Sequence, residues 1–141
     1  MNPQGESTTA VYCMTIYGEA RGEDRFGISL VGMCILNRAL SPITWWGTGI
    51  KSVCLAPKQF SCWNNPEHTN YKKMFSAWEN RASDDSMEQI MHIADGILLG
   101  KTIRTSVDRS INHYCTIETN PAWAKGILPV IVHKRHKFYS L

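Results

Sequence analysis

The chain has 141 residues, of which 43% are hydrophobic and 19% charged, with a formal net charge of +3. That length suits one domain with a sizeable core, and the composition excludes a disordered chain. The mild basic excess is compatible with an anionic polymer as partner but too small to indicate nucleic acid.

The opening MNPQGESTTA has no basic region followed by an apolar run, so no secretory signal is expected and synthesis in a cytoplasm is. The longest apolar runs fall short of the ~20 residues of a membrane helix, so no stable membrane insertion is expected either. Residues 1–7 read as a short polar tail and residues 8–141 as the single working domain. A helix begins at Thr8, capped by Ser7 or Thr8, with Ala10, Cys13, Met14 and Tyr17 on one apolar face. Gly18 and Gly22 weaken it on either side of Glu19. Two residues past Tyr17, Glu19 turns away from that face, toward a neighbouring element or a cleft.

FGISLVGMCILNRAL, residues 26–40, is apolar nearly all round, which marks the buried central helix of a domain. Polar groups return at Asn37 and Arg38, and Pro42 stops it. The segment from Ser41 to Asn70 reads as irregular, and its three tryptophans make it too aromatic for a simple linker. Helices follow over residues 71–80 and 86–99, the second carrying Met87, Ile90, Met91, Ala94, Ile97 and Leu98 at helical spacing and closed by Gly100. INHYC and LPVIVHKRHKFY then have the β-branched and aromatic content of short strands. The fold class is therefore α+β and mainly helical: helices around a buried central one, with a small β element near the C-terminal end. Five cysteines cannot all pair within the chain, and in a reducing compartment they are free thiols, with Cys13 and Cys34 inside apolar helical patterns.

YGEARGE, residues 17–23, carries the chemistry. A glutamate at the edge of an apolar cleft suits the acid that protonates a leaving glycosidic oxygen, because drying disfavours its charged form. Glu19 fits that role, while Glu23, near Arg21 and Arg25, is expected to stay ionised beside those cations. On spacing alone, an ordinary solvated run of charges is the stronger reading.

IYGEARGE followed by GISLVGMCILNR resembles the cell-wall hydrolase family of the spore-cortex-lytic enzymes (the SleB type), which also occurs among bacteriophage endolysins. The resemblance continues through VCLAPKQFSCWN, ADGILLGK, DRSINHYC and PAWAK to VHKRHKFY, so it spans about Ala10 to Tyr139. Departures fall at Arg109, where the family commonly has proline, at Ile111 and Asn112, where it has glycine and alanine, and at Lys134, where it has glycine.

The resemblance implies a lysozyme-like, mainly helical domain acting on peptidoglycan glycan strands. It implies cleavage between N-acetylmuramic acid and N-acetylglucosamine with Glu19 as the catalytic acid, without metal or cofactor. In spore-cortex members the reaction is lytic transglycosylation, in which the muramic 6-hydroxyl attacks and a 1,6-anhydro end results. One carboxylate suffices for that, and no second carboxylate occupies an equally distinctive block; a hydrolytic muramidase using a second carboxylate is the alternative. Gln59, Ser61, Asn37, His113 and Tyr114 fall in matched blocks as candidate substrate contacts, with Glu23 and Arg21 in support. Asn37 can instead cap a helix end, and Gln59 or Ser61 can instead order the loop. Trp63 and Trp123 either stack on sugar rings or pack internally, whereas Phe60, Phe138 and Tyr139 read as core. A monomeric phage lysin made in the host cytoplasm and released to the wall through a holin pore is the expected setting.

Three rivals are weaker. A zinc amidase needs converging ligands, and His133 and His136 in one strand would face opposite sides. A cysteine peptidase would have to use Cys115 and His113, which share a strand face at ~7 Å without contact. A non-catalytic wall-binding module accounts for the tryptophans but leaves YGEARGE without a purpose.

Overall fold

The computed structural model describes residues 1–101 and 108–141. Five helices, α1 (Thr8–Ala20), α2 (Arg25–Leu40), α3 (Ile50–Leu55), α4 (Thr69–Glu79) and α5 (Asp85–Leu98), precede strands β1 (His113–Thr116), β2 (Ile131–His133) and β3 (His136–Tyr139). Local chemistry sets the helix starts. Ser7 Oγ accepts the Ala10 amide of α1, Asp24 Oδ1 the Gly27 amide of α2, and Asp84 Oδ1 the Met87 amide of α5. Only Arg21 to Asp24 separate α1 from α2, so the acidic stretch forms a tight corner.

Helix α2 is buried as its composition predicts, but α1 is the most enclosed helix. Every residue from Ala10 to Tyr17 is buried, and α1 packs against all four other helices. Two glycines permit that crowding. A Cβ on Gly18 would lie 2.6 Å from Met74 Sδ on α4, and one on Gly32 of α2 would lie 2.9 Å from Ile97 Cδ1 on α5. Gly18 therefore serves close packing inside the helix rather than ending it.

One expectation changes, and the polar tail gains a partner. Helix α3 lies within the segment read as irregular; at six residues it is too short to show a period, though it buries Val53 and Cys54. The polar tail is also pinned, since Lys51 Nζ on α3 donates to the carbonyls of Gln4 and Glu6.

The sheet is antiparallel in the order β1-β3-β2. Tyr114 and Ile131 flank Phe138 across it, and all three face the helical core. His133 and His136 do not share a strand, as the sequence suggested. A two-residue turn at Lys134–Arg135 sets them opposite one another. Lys134 has φ 52°, the left-handed conformation that favours the glycine expected there. Phe60, Phe138 and Tyr139 are buried, as are Cys13 and Cys34.

Candidate active site

Thr15, Gly18 and Glu19 share one face of α1, three and four residues apart, and that face grips the 3₁₀ turn Ser61–Trp63. Thr15 Oγ1 accepts Trp63 Nε1–H at 2.9 Å, Gly18 leaves room for Cys62, and Glu19 Oε2 accepts the Cys62 amide at 3.1 Å. Ser61 Oγ stands 3.5 Å from the same oxygen, the outer limit of a hydrogen bond. The other oxygen, Oε1, accepts Tyr114 O–H from β1 at 2.6 Å. Burial, and then the neighbouring Glu19 carboxylate, push the Tyr114 phenol well above its ordinary value, so it remains a donor. Both Glu19 oxygens are thus held by uncharged donors, and among the described residues Glu19 makes no salt bridge.

Glu19 opens onto a cleft of about 410 Å³ lined by Arg38, Trp45, Lys58, Gln59, Phe60, Ser61, His113, Tyr114 and Trp123. On its other side lies a hollow of about 420 Å³ that includes Arg21, His68 and Asn70. A third, of about 270 Å³, adjoins it through His68 and Asn70 and reaches Asn65. The carboxylate therefore stands partway along a groove. Trp45 is 72% exposed at the rim. The Trp123 ring packs against His113 and Tyr139, with centroids 4.9 and 5.1 Å away.

Buried Arg38 organises the cleft wall. Its Nε donates to the Asn112 carbonyl at 2.6 Å and its Nη1 to Gln59 Oε1 at 3.1 Å. With Gln59 Oε1 occupied, the Gln59 amide nitrogen is left to donate. His113 is fixed in the complementary sense. Asn112 exchanges two hydrogen bonds with the Leu141 backbone, accepting N–H on Oδ1 at 3.0 Å and donating from Nδ2 at 2.9 Å. Oδ1 is thereby the acceptor, so the His113 Nδ1 lying 2.9 Å from it carries the proton. Burial, and then Arg38, lower the His113 pKa to about 4, leaving a neutral ring whose Nε2 is an acceptor. One wall thus presents a fixed donor and a fixed acceptor.

The structure brings Gln59, Ser61, His113, Tyr114 and Trp123 into the cleft with Glu19, puts Arg21 in the hollow on its other side, and sets Asn37, Trp63 and Glu23 elsewhere. Asn37 donates to the Asp108 and Ile111 carbonyls, anchoring the chain into β1 behind the cleft. Trp63 packs on Tyr71 and Phe75 at 5.5 and 6.0 Å, so its work is to hold the Ser61–Trp63 turn. Arg21 lies over the Tyr17 ring and bonds Asn70.

Glu23 is not paired with Arg21 or Arg25. Its Oε1 lies 2.9 Å from both Arg135 Nη2 and His136 Nδ1, since the tight corner aims it at the β2–β3 hairpin. Asp24 beside it binds His133 Nε2 at 2.8 Å and Lys134 Nζ at 2.9 Å. The Gly27 amide, then Lys134 and His133, hold the Asp24 carboxyl well below the usual carboxylate range.

Sequence reasoning missed Arg38, Trp45 and Lys58 as cleft residues. A lone cation inside an apolar helix was a readable signal for Arg38; the other two had none. Among the described residues, no three His, Cys, Asp or Glu side chains converge as a metal site.

A family model described as Cell Wall Hydrolase matches residues 22–139. The match takes in Arg38, Gln59, Ser61, His113, Tyr114 and Trp123, and begins three residues after Glu19. Neither the curated proteins nor the solved structures give a match.

Proposed function

The chain belongs to the cell wall hydrolase family, and from that premise we propose that it cuts the bond between N-acetylmuramic acid and N-acetylglucosamine in peptidoglycan, with Glu19 as its single general acid and base. One observation carries this reading. Among the described residues that line the groove, Glu19 is the sole carboxylate, and two uncharged donors hold its two oxygens. Hydrolytic glycosidases of the common kind need a second carboxylate within about 5–9.5 Å. Lytic transglycosylation needs one.

In that reaction Glu19 gives its proton to the glycosidic oxygen as the C1–O bond breaks and positive charge builds on the muramic ring. The resulting carboxylate then takes the proton from the muramic 6-hydroxyl, whose oxygen closes on C1. Oε1 keeps a free lone pair beyond its bond to Tyr114, so the proton can come and go there without breaking that bond. The wall suits the substrate: the Gln59 amide donor and the His113 Nε2 acceptor match the carbonyl and N–H of an acetamido group, and Trp45 and Trp123 offer apolar faces to sugar rings.

Mass spectrometry of peptidoglycan digested by the protein tests the reading. Muropeptides with 1,6-anhydromuramic ends support it; reducing ends would replace transglycosylation by hydrolysis, and peptide fragments alone would overturn glycosidic cleavage. We place the activity in a bacteriophage lysin, which should clear permeabilised Gram-negative cells without added metal.

A further inference from the structure

The largest hollow described lies outside the Glu19 groove. It has a volume of about 630 Å³, between the outer face of the sheet and the loop leading to β2, and is lined by Asn120, Lys125, Ile127, Pro129, Lys137 and Tyr139 among others. Only the 3₁₀ turn Ala122–Ala124 separates it from the cleft. Ala122 and Ala124 line this hollow, and Trp123 between them lines the cleft.

Its shape is preset by the backbone. Gly126 sits at φ 76°, Ile127 N–H bonds the Ala124 carbonyl at 3.1 Å, and Val130 N–H bonds the Phe138 carbonyl at 2.8 Å. Prolines at 121 and 129 further restrict the loop.

The charge is one-sided. The hairpin cations Lys134 and Arg135 are neutralised by Asp24 and Glu23. Lys125 and Lys137, which line the hollow, make no salt bridge among the described residues, and no Asp or Glu occurs from Thr119 to Leu141. Apolar surface adjoins them: Val132, paired with Lys137 across the sheet, is 62% exposed. A ligand complementary to this hollow is short, partly aliphatic and rich in carboxylates.

We infer that the hollow binds the acidic peptide stem of peptidoglycan, so that the protein reads peptide as well as glycan. The inference rests on the glycan strand occupying the Glu19 groove. Each muramic residue carries its stem on a lactyl arm, and three extended residues span about 10 Å, enough to cross a single turn of chain. Lys125 and Lys137 then meet stem carboxylates, while Ile127 and Pro129 pack on its aliphatic carbons.

The test compares soluble glycan strands bearing their stems with the same strands stripped by an amidase. Wild type should show a KM roughly fivefold lower on stem-bearing strands, the size expected of two partly exposed ion pairs. The Lys125→Gln/Lys137→Gln variant should lose that advantage, yet match wild type on stripped strands and in thermal melting. A Lys125→Arg/Lys137→Arg variant should keep it. Equal KM values for wild type on both strands, or an advantage surviving the double glutamine change, would overturn the inference. Failure of the glycosidase reading looks different: neither strand is cleaved by any of these proteins.

Discussion

Glu19 and the pair Glu23–Asp24 lie within six residues of one another and carry the same functional group, yet they sit in opposite surroundings. Glu19 meets a phenol, a backbone amide and a hydroxyl, and faces an open groove. Glu23 and Asp24 meet Arg135, His136, His133 and Lys134, all from one hairpin. Neutral donors orient a carboxylate while leaving it free to exchange a proton. Partners on the hairpin instead make a carboxylate a fastener between the α1–α2 corner and the sheet. Since β3 of that sheet pairs with β1, which carries Tyr114, the fastened corner also holds the donor that Glu19 uses.

The comparison sharpens when donors are removed without touching the carboxylates. Tyr114→Phe deletes the bond to Glu19 Oε1 and should lower turnover about tenfold to a hundredfold, the worth of a hydrogen bond to a charged group. Steady-state muropeptide release at unchanged melting temperature checks it, and undiminished turnover would make the tyrosine incidental. Gly18→Ala places a Cβ 2.6 Å from Met74 Sδ and 2.7 Å from Cys62 Cβ. It should cost about 1–3 kcal/mol of stability as an overpacked contact and reduce activity by shifting the Cys62 amide. Denaturant unfolding measures the first effect.

At the fastened corner the readout is stability against pH. Asparagine caps α2 as well as aspartate does, so Asp24→Asn isolates the ionic contribution. Because the folded-state pKa of Asp24 is depressed, its contribution is present above the unfolded value of about 4 and fades as pH falls below it. The variant should melt below wild type at pH 7, and the two curves should converge in acid. A pH-independent gap would mean that the contacts with His133 and Lys134 contribute through packing rather than charge. The smallest effect belongs to His113. Its ¹⁵N shifts should report a neutral ring protonated on Nδ1 that titrates near pH 4, and an Nε2–H tautomer would contradict the acceptor role assigned to the cleft wall.

Local rules made much of the fold legible. The start of α1 follows from Ser7, the apolar composition of α2 marks it as buried, and the apolar period of α5 locates its buried face. Helix α3 was hidden because six residues carry too little pattern, and the turn between His133 and His136 because Lys134 occupies a left-handed position without being glycine. The candidate cleft was legible mainly through the resemblance, which marked Gln59, Ser61, His113 and Tyr114 along with Asn37, which lies outside it. Roles that depend on distant partners were not. Glu23 finds Arg135 across 112 positions, Trp63 is claimed by Thr15 rather than by the cleft, and Asn37 by the carbonyls of Asp108 and Ile111. No local spacing encodes those choices.

Glu19→Gln and Glu23→Gln, measured side by side for muropeptide release and thermal melting, test the central claim most directly. Glu19→Gln keeps the shape and removes the transferable proton, so turnover should fall about 10²–10⁴-fold while the melting temperature stays near that of wild type. Glu23→Gln should retain most of the turnover and melt at a lower temperature, having lost its pairing with Arg135 and His136. Near-wild-type release by Glu19→Gln would contradict the assignment of Glu19 as the catalytic acid.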